Sequence, residues 1–341
     1  MKQKASELGL QASIAEATPF AAEREILRAR AARGQAVPFL PYDPARRAEP
    51  AFLLPGVRSL VAVAMPYQDL AGGPIARYAR GPDYHQVLTY KLAILARWLQ
   101  ENAGTAASTA IAVDTSPLID RAVAARAGLG FYGKHGGIIT RRWGSLVTLG
   151  TLLTTLRLRP DPPLENRCGA CDLCMRACPT GAIVAPGQVD PLRCLSTWTQ
   201  TRGSLPAWVR LAVGTRVFGC DTCQEVCPYN QPLLAPQIST RGHTAADGAG
   251  PDSDEDHCRE LCRLATMDEA SFQNTFAHTA AGWRGRNVLR RNAAVALGNL
   301  GDRRALPVLD RLADQDQSPV VREHADWARK RIKSNGKNTE T

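Results

Sequence analysis

The sequence lacks the features that would place it in a membrane. Its longest nearly apolar runs, Ser59–Tyr67 and Leu146–Leu156, have strand length and are too short to cross a bilayer as helices. The N-terminus (MKQKASELGLQASIAEATPF) has one early basic patch but no apolar core and no clear cleavage site. No signal peptide is therefore expected, and the cytoplasm is the expected compartment. The composition also lacks the marks of disorder, with 44% hydrophobic and 22% charged residues. A chain of 341 residues has room for two or three domains and at least one sizeable core. Acid is scarce relative to base, giving a formal charge of +10. Such an excess fits either an ordinary basic surface or attraction to a polyanion, and its location decides between them.

Cysteine is abundant. Ten cysteines in a chain expected in a reducing compartment argue for metal or redox chemistry rather than disulfides. The first run is Cys168-x2-Cys171-x2-Cys174-x3-Cys178-Pro179. Three thiolates at this spacing can wrap one cuboidal iron–sulfur cluster, while the fourth, set back and followed by proline, points to a second cluster. The second run, Cys220-x2-Cys223-x3-Cys227-Pro228, lacks a first cysteine, and Cys194 upstream replaces it. Crossed ligation then puts one 4Fe–4S cluster on Cys168, Cys171, Cys174 and Cys227, and the other on Cys178, Cys194, Cys220 and Cys223. Structural zinc usually shows paired C-x2-C knuckles, which a triple run ending in Cys-Pro does not match. Cys258 and Cys262 lie one helical turn apart outside both runs and read as core or incidental thiols.

Residues 1–165 alternate between strand and helix patterns, the mark of an α/β domain. Strands are expected at Ser59–Met65, Thr109–Val113, Gly137–Thr140 and Leu146–Leu156. From Asp83 to about Glu101, Val87, Leu88, Leu92, Leu95 and Leu99 form a helical stripe. A further helix is expected to start with Ser116 as cap and Pro117 in its first turn, and to exit at Gly128. Residues 166–231 have little hydrophobic periodicity and form a ferredoxin-like cluster domain. Residues 232–256 read as a linker. Residues 257–333 are helical: Leu289–Leu297 and Val321–Arg329 align at a spacing of 32, with Ala305–Ala313 between them, as in a short HEAT-like array. The tail 334–341 is expected to be disordered. The fold class is thus α+β and α/β, multidomain.

Several blocks resemble the epoxyqueuosine reductases, cobalamin-dependent iron–sulfur enzymes of tRNA modification, and the resemblance spans nearly the whole chain. It rests on Ala76-Arg77-Tyr78-Ala79 with Asp83-Tyr84-His85, on Val113-Asp114-Thr115, and on Arg126-Ala127-Gly128-Leu129-Gly130 with Gly133-Lys134-His135. It continues in Gly144-Ser145, the cysteine runs with Gly219-Cys220-Asp221 and Cys223-Gln224, and Leu289-Arg290-Arg291-Asn292-Ala293. What it implies is reduction of an epoxide on the modified wobble base to an alkene, with cobalamin reduced through the two clusters by an external low-potential donor of ferredoxin or flavodoxin type. Asp114 stands at the family's proton-donor position. Arg77, His135, Ser196 and Asp221 match positions near the cofactor. Asp114 also lies at the carboxyl end of an expected strand, where ligands bind in open α/β sheets, although a helix-entry residue would look the same. Asp120 is the rival carboxylate, read as solvated or paired within a helix. His85 resembles the start of an Asp-x-His-x-x-Gly cobalt-ligand signature, but Leu88 stands where glycine is required, so it reads as a helix or core histidine. Thr197, Gln200 and Thr201 depart from the family pattern.

The basic excess has a place in this scheme. Arg284, Arg286, Arg290, Arg291, Arg303 and Arg304 face one acid, Asp302, in the same stretch. An arginine-rich helical repeat suits a tRNA backbone, while pairing with acids of neighbouring helices is the plainer alternative. The chain is expected to act as a monomer. Two other readings remain open: a ferredoxin-like electron carrier without its own substrate, and a corrinoid reductive dehalogenase acting on a small molecule. The long domain before the cysteines opposes the first, and the missing export signal and the basic repeat oppose the second.

Overall fold

Strand β2 (Ser59–Pro66) is buried along almost its whole length, and its alternation shows why. Leu60, Ala62 and Ala64 point into one apolar cluster, while Val61, Val63 and Met65 point into another on the opposite face. In this computed structural model, which describes residues 1–37, 43–67, 72–234 and 254–335, β2 lies inside a four-stranded sheet. With β1 (Gln11–Glu16), β3 (Thr109–Ala112) and β6 (Val147–Thr154) the order is β1-β2-β6-β3. All three pairings are antiparallel. The class is mixed α/β as expected, but the ligand rule for parallel open sheets does not apply to it.

The helix Tyr84–Asn102 covers one face with Leu88, Leu92, Leu95 and Leu99, the stripe legible in the sequence. Asp83 caps it, accepting from the His85 backbone N–H at 2.9 Å. The helix Asp120–Arg126 covers the other face with Ala122, Val123 and Ala124. It starts later than its expected Ser116 cap. Ser116 instead accepts from the Val113 backbone N–H through Oγ at 3.3 Å, folding the segment back into a turn.

The chain divides into two compact units: residues 1–68, 82–192 and 222–231 form the first, and 69–81, 193–221 and 232–341 the second. In the first, β4 (Gly130–Tyr132) and β5 (Ile138–Thr140) form a hairpin whose Phe131 and Ile139 pack with Cys227 and Cys168. In the second, the helices Arg286–Leu300, Leu306–Gln315 and Pro319–Asn335 supply the repeat. The segment expected as a linker lies largely outside the described residues. Among the described residues no helix is long and apolar enough to cross a membrane.

Candidate active site

Asp114 follows β3 directly and is the one non-glycine residue with positive φ (43°) among the described residues. Aspartate tolerates this left-handed conformation better than most residues, and such strain gathers at functional sites. Its side chain is 57% exposed. Tyr84 donates its hydroxyl to Oδ2 at 3.1 Å, and His85 Nε2 lies 3.2 Å from the same oxygen. His85 Nδ1 sits 2.7 Å from Asp83 Oδ1, and the Tyr84 and His85 rings stack with centroids 4.0 Å apart. Desolvation pulls the Asp114 pKa upward, but the His85 hydrogen bond and charge, with Tyr84 and Arg121, outweigh it and hold the group below its ordinary range. Burial pulls His85 down, and its bonds to Asp114 and Asp83 reverse this and raise it. His85 is therefore not a core histidine. The sequence signal for it is Asp83-x-His85, which places a carboxylate and an imidazole together at the helix start.

Asp120 is turned inward rather than solvated, with the Asp114 backbone, Arg47 and Arg121 among its surroundings. Its Oδ1 is buried without a hydrogen-bond partner. Burial first, then the charge of Asp114, push its pKa up to about 8 against Arg47 and Arg121. It is protonated at neutral pH in the folded chain and ionised in the unfolded one. Folding therefore binds an extra proton between about pH 4 and 8, and stability falls as pH rises through that window. The slope from this group is up to about 1.4 kcal/mol per pH unit. In Asp120→Asn that slope disappears, so the Tm advantage of the variant should widen from pH 4 to pH 8 and level off above. A Tm difference independent of pH would contradict the assignment.

The first cysteine set converges within the first unit. Burial raises the Cys174 pKa, and so does the charge of Cys227, Cys168 and Cys171. Cys227 is likewise raised by burial and by Cys168 and Cys171. These thiols stand near enough to raise one another's pKa as thiolates, while among the described residues no three His, Cys, Asp or Glu side chains are gathered closely enough to hold a metal ion. A bonding network braces this locus. Asn230 Oδ1 accepts from the Ser145 backbone N–H at 2.8 Å, and Gln224 donates to the Ser145 carbonyl at 2.6 Å. Gly144, at φ 53°, has room for no side chain: a Cβ would stand 2.1 Å from Asn230 Oδ1. Of the other set, Cys178 and Cys223 belong to the first unit and Cys194 and Cys220 to the second. Cys178 accepts from the Ala182 backbone N–H at 3.2 Å; burial raises its pKa, but this and neighbouring N–H groups bring it below its ordinary value. Cys258 is buried in the second unit, its thiol pushed up to about 12 by burial and then by Cys262 and Asp302. It stays protonated, as suits a core thiol.

Comparison with known proteins now bears on this arrangement. Residues 47–115 match the family model "Epoxyqueuosine reductase QueG, DUF1730", 167–230 the "4Fe-4S double cluster binding domain", and 289–315 the "PBS lyase HEAT-like repeat". The chain is 36% identical over 331 residues to the epoxyqueuosine reductase of Staphylococcus aureus, covering 92% of this chain and 82% of that one. It is 38% identical over 300 residues to that of Bacillus subtilis, covering 84% and 74%. The chain belongs to the epoxyqueuosine reductase family. A solved epoxyqueuosine reductase with a tRNA-Tyr epoxyqueuosine-modified stem loop superposes with TM-score 0.85 at 36% identity, covering 97% of this chain and 88% of that chain. The solved Bacillus subtilis reductase, whose catalytic aspartate loop is swung out of its active site, gives 0.83 at 35% identity, over 97% and 88%.

The second unit places the remaining family-matched residues. Arg77 and Asp221 form a buried ion pair: Asp221 Oδ2 accepts from Arg77 Nη1 at 3.2 Å and from the Arg77 backbone N–H at 2.8 Å. Gly219, at φ 70° beside Cys220, lies so close to Ala76 that a Cβ would stand 2.4 Å from it. Ser196 Oγ accepts from Gln200 Nε2 at 3.3 Å. Gln200, one of the departures from the family pattern, also takes the Trp283 indole N–H at 3.0 Å on its Oε1 and the Arg284 guanidinium at 2.7 Å on its carbonyl.

Two of the six arginines expected at a tRNA face are interior. Arg291 is fully buried and donates to the carbonyls of Thr201 and Gly203 at 2.7 and 2.6 Å. Burial, with Arg210 and Arg284, pushes its pKa down to about 10. Neighbouring Asn292 donates to the carbonyls of Thr199 and Val217. Arg290 is buried against Asp316 and the Ala265 carbonyl. The Leu-Arg-Arg-Asn block thus satisfies loop carbonyls around the Cys194–Cys220 segment, and it offers no charge to RNA. Arg286 pairs with Glu269, Arg304 with Asp302 and Glu255, and Arg284 stacks on the half-exposed Trp283. Arg303 is exposed.

Proposed function

We propose that this chain reduces the epoxide of epoxyqueuosine in tRNA to the alkene of queuosine, with Asp114 delivering protons to the departing oxygen. The observation that carries the reading is the Asp114 carboxyl, held in a left-handed backbone turn and hydrogen-bonded to Tyr84 and His85. One solved relative has its catalytic aspartate on a loop that swings out of the active site, and another holds an epoxyqueuosine-modified tRNA stem loop. Two 4Fe–4S clusters are assigned to Cys168, Cys171, Cys174 and Cys227, and to Cys178, Cys194, Cys220 and Cys223.

Cobalamin is the second cofactor of this reading, and His135 fits it. His135 Nδ1 accepts from the Gly137 backbone N–H at 3.0 Å, so the neutral ring carries its proton on Nε2. Burial pushes the His135 pKa down to about 4, and Nε2 is buried without a partner. An unmet buried donor costs about 1–3 kcal/mol, which an acceptor such as a corrin carboxamide would relieve. His135, Ser196 and the Arg77–Asp221 pair are the residues assigned to hold it. Cobalamin, when bound, supplies a strongly reduced cobalt for electron delivery to the substrate. An external low-potential donor of ferredoxin or flavodoxin type supplies the electrons to a cytoplasmic monomer. Arg303 and Arg304, with Arg284 on Trp283, are the tRNA contacts the reading retains.

The test is anaerobic reconstitution with iron, sulfide and cobalamin, followed by an assay on epoxyqueuosine-containing tRNA with a chemical reductant. Conversion to queuosine is expected. Arg303→Gln with Arg304→Gln should keep cluster content and lose about 0.7–0.9 of salt slope per phosphate contact removed. Failure to bind cobalamin or convert tRNA would leave an electron carrier.

A further inference from the structure

Taking the oxygen out of an epoxide as water consumes two electrons and two protons. One C–O bond breaks as the oxygen takes the first proton and becomes a hydroxyl. The other breaks as that hydroxyl takes the second proton and leaves as water, while the two electrons, drawn from the external donor, form the carbon–carbon π bond. One carboxyl holds one proton, so it must be reloaded between the two steps. The side chains hydrogen-bonded to the Asp114 carboxyl are Tyr84 and His85, and of these two only His85 exchanges a proton readily near neutral pH.

We propose that His85, oriented by Asp83, reloads Asp114, so that a single carboxyl serves both protonations. This rests on the reading of Asp114 as proton donor. The geometry is a continuous line from Asp83 Oδ1 to His85 Nδ1 at 2.7 Å, then from Nε2 to Asp114 Oδ2 at 3.2 Å. Asp83 is fixed because the same oxygen accepts the His85 backbone N–H at 2.9 Å as the helix cap. The imidazole is stacked on Tyr84 and its side chain keeps 28% of its surface in solvent, so water can return the proton it passes on. The charged groups facing it are Asp83, from its own helix end, and Asp114, from the loop after β3. Against the opposing pull of burial on each, their mutual hydrogen bond holds the Asp114 pKa below its ordinary value and the His85 pKa above. Asp83 is a positioning residue in this scheme, acting through His85.

Asp83→Asn tests it, because asparagine caps a helix as well as aspartate does and the fold should persist. In the reconstituted holoenzyme, kcat should fall as pH rises through the His85 titration. That limb should move to lower pH in Asp83→Asn, with KM and iron content unchanged. His85→Gln should lose roughly 10²-fold or more in kcat, with the limb gone. The His85 resonance, identified by its absence in His85→Gln, should titrate at lower pH in Asp83→Asn than in the wild type, a readout independent of turnover. An unmoved limb or an unmoved titration in Asp83→Asn would overturn the relay. Full activity in Asp114→Asn would instead overturn the reading of Asp114, with the titration shift still present.

Discussion

Asp114→Asn is expected to lower the rate of epoxide reduction by about 10²–10⁴-fold, the scale of a lost general acid. Iron content, cofactor content and Tm should stay near wild type. Asparagine is nearly isosteric and shares the tolerance of aspartate for φ near 43°, so the turn after β3 keeps its shape. Its amide oxygen still accepts from Tyr84, but the group can no longer carry a proton from His85 to the substrate. Single-turnover measurements with pre-reduced enzyme isolate this step from electron supply. Retained activity, or a loss that merely tracks unfolding, would show the turn to be structural.

A second large effect is expected at Cys174. This thiol is buried and shares its surroundings with Cys168, Cys171 and Cys227. Cys174→Ala should reduce the iron of the reconstituted protein from about eight to about four per chain, because crossed ligation leaves the other cubane intact. Electron entry should fail with it, abolishing tRNA conversion even with excess reductant. Iron and acid-labile sulfide analysis reads the loss directly. Stoichiometric zinc without labile sulfide in the wild type would overturn the cluster assignment.

Much of the fold was legible because it depends on local periodicity. The apolar stripe of Leu88, Leu92, Leu95 and Leu99 and the run at Ser59–Pro66 mark their elements without reference to anything distant. Strand direction was not legible. Alternating strands and helices marked an α/β domain without giving the strand direction, and each pairing in the main sheet is antiparallel. The helix start was misplaced for a similar reason. Ser116 has the chemistry of a cap but closes a turn onto Val113, leaving Asp120 to open the helix.

The sequence by itself determined the iron–sulfur module, since the spacing of cysteines along one chain marks it and residues 167–230 match the double-cluster model. It also determined the family, through short blocks of contiguous residues. Only the tertiary structure decided what the charged side chains do. Arg290 and Arg291 looked like a phosphate-binding face and are buried against Asp316 and loop carbonyls. His85 looked like a helix or core residue; it lies in the first turn of its helix and joins Asp83 to Asp114. Asp120 looked solvated or paired, and its Oδ1 is buried, with burial pushing its pKa up to about 8. The physical reason is common to all three. A charge takes its role from the groups that surround it in space and from its access to water, and neither is set by its neighbours along the chain.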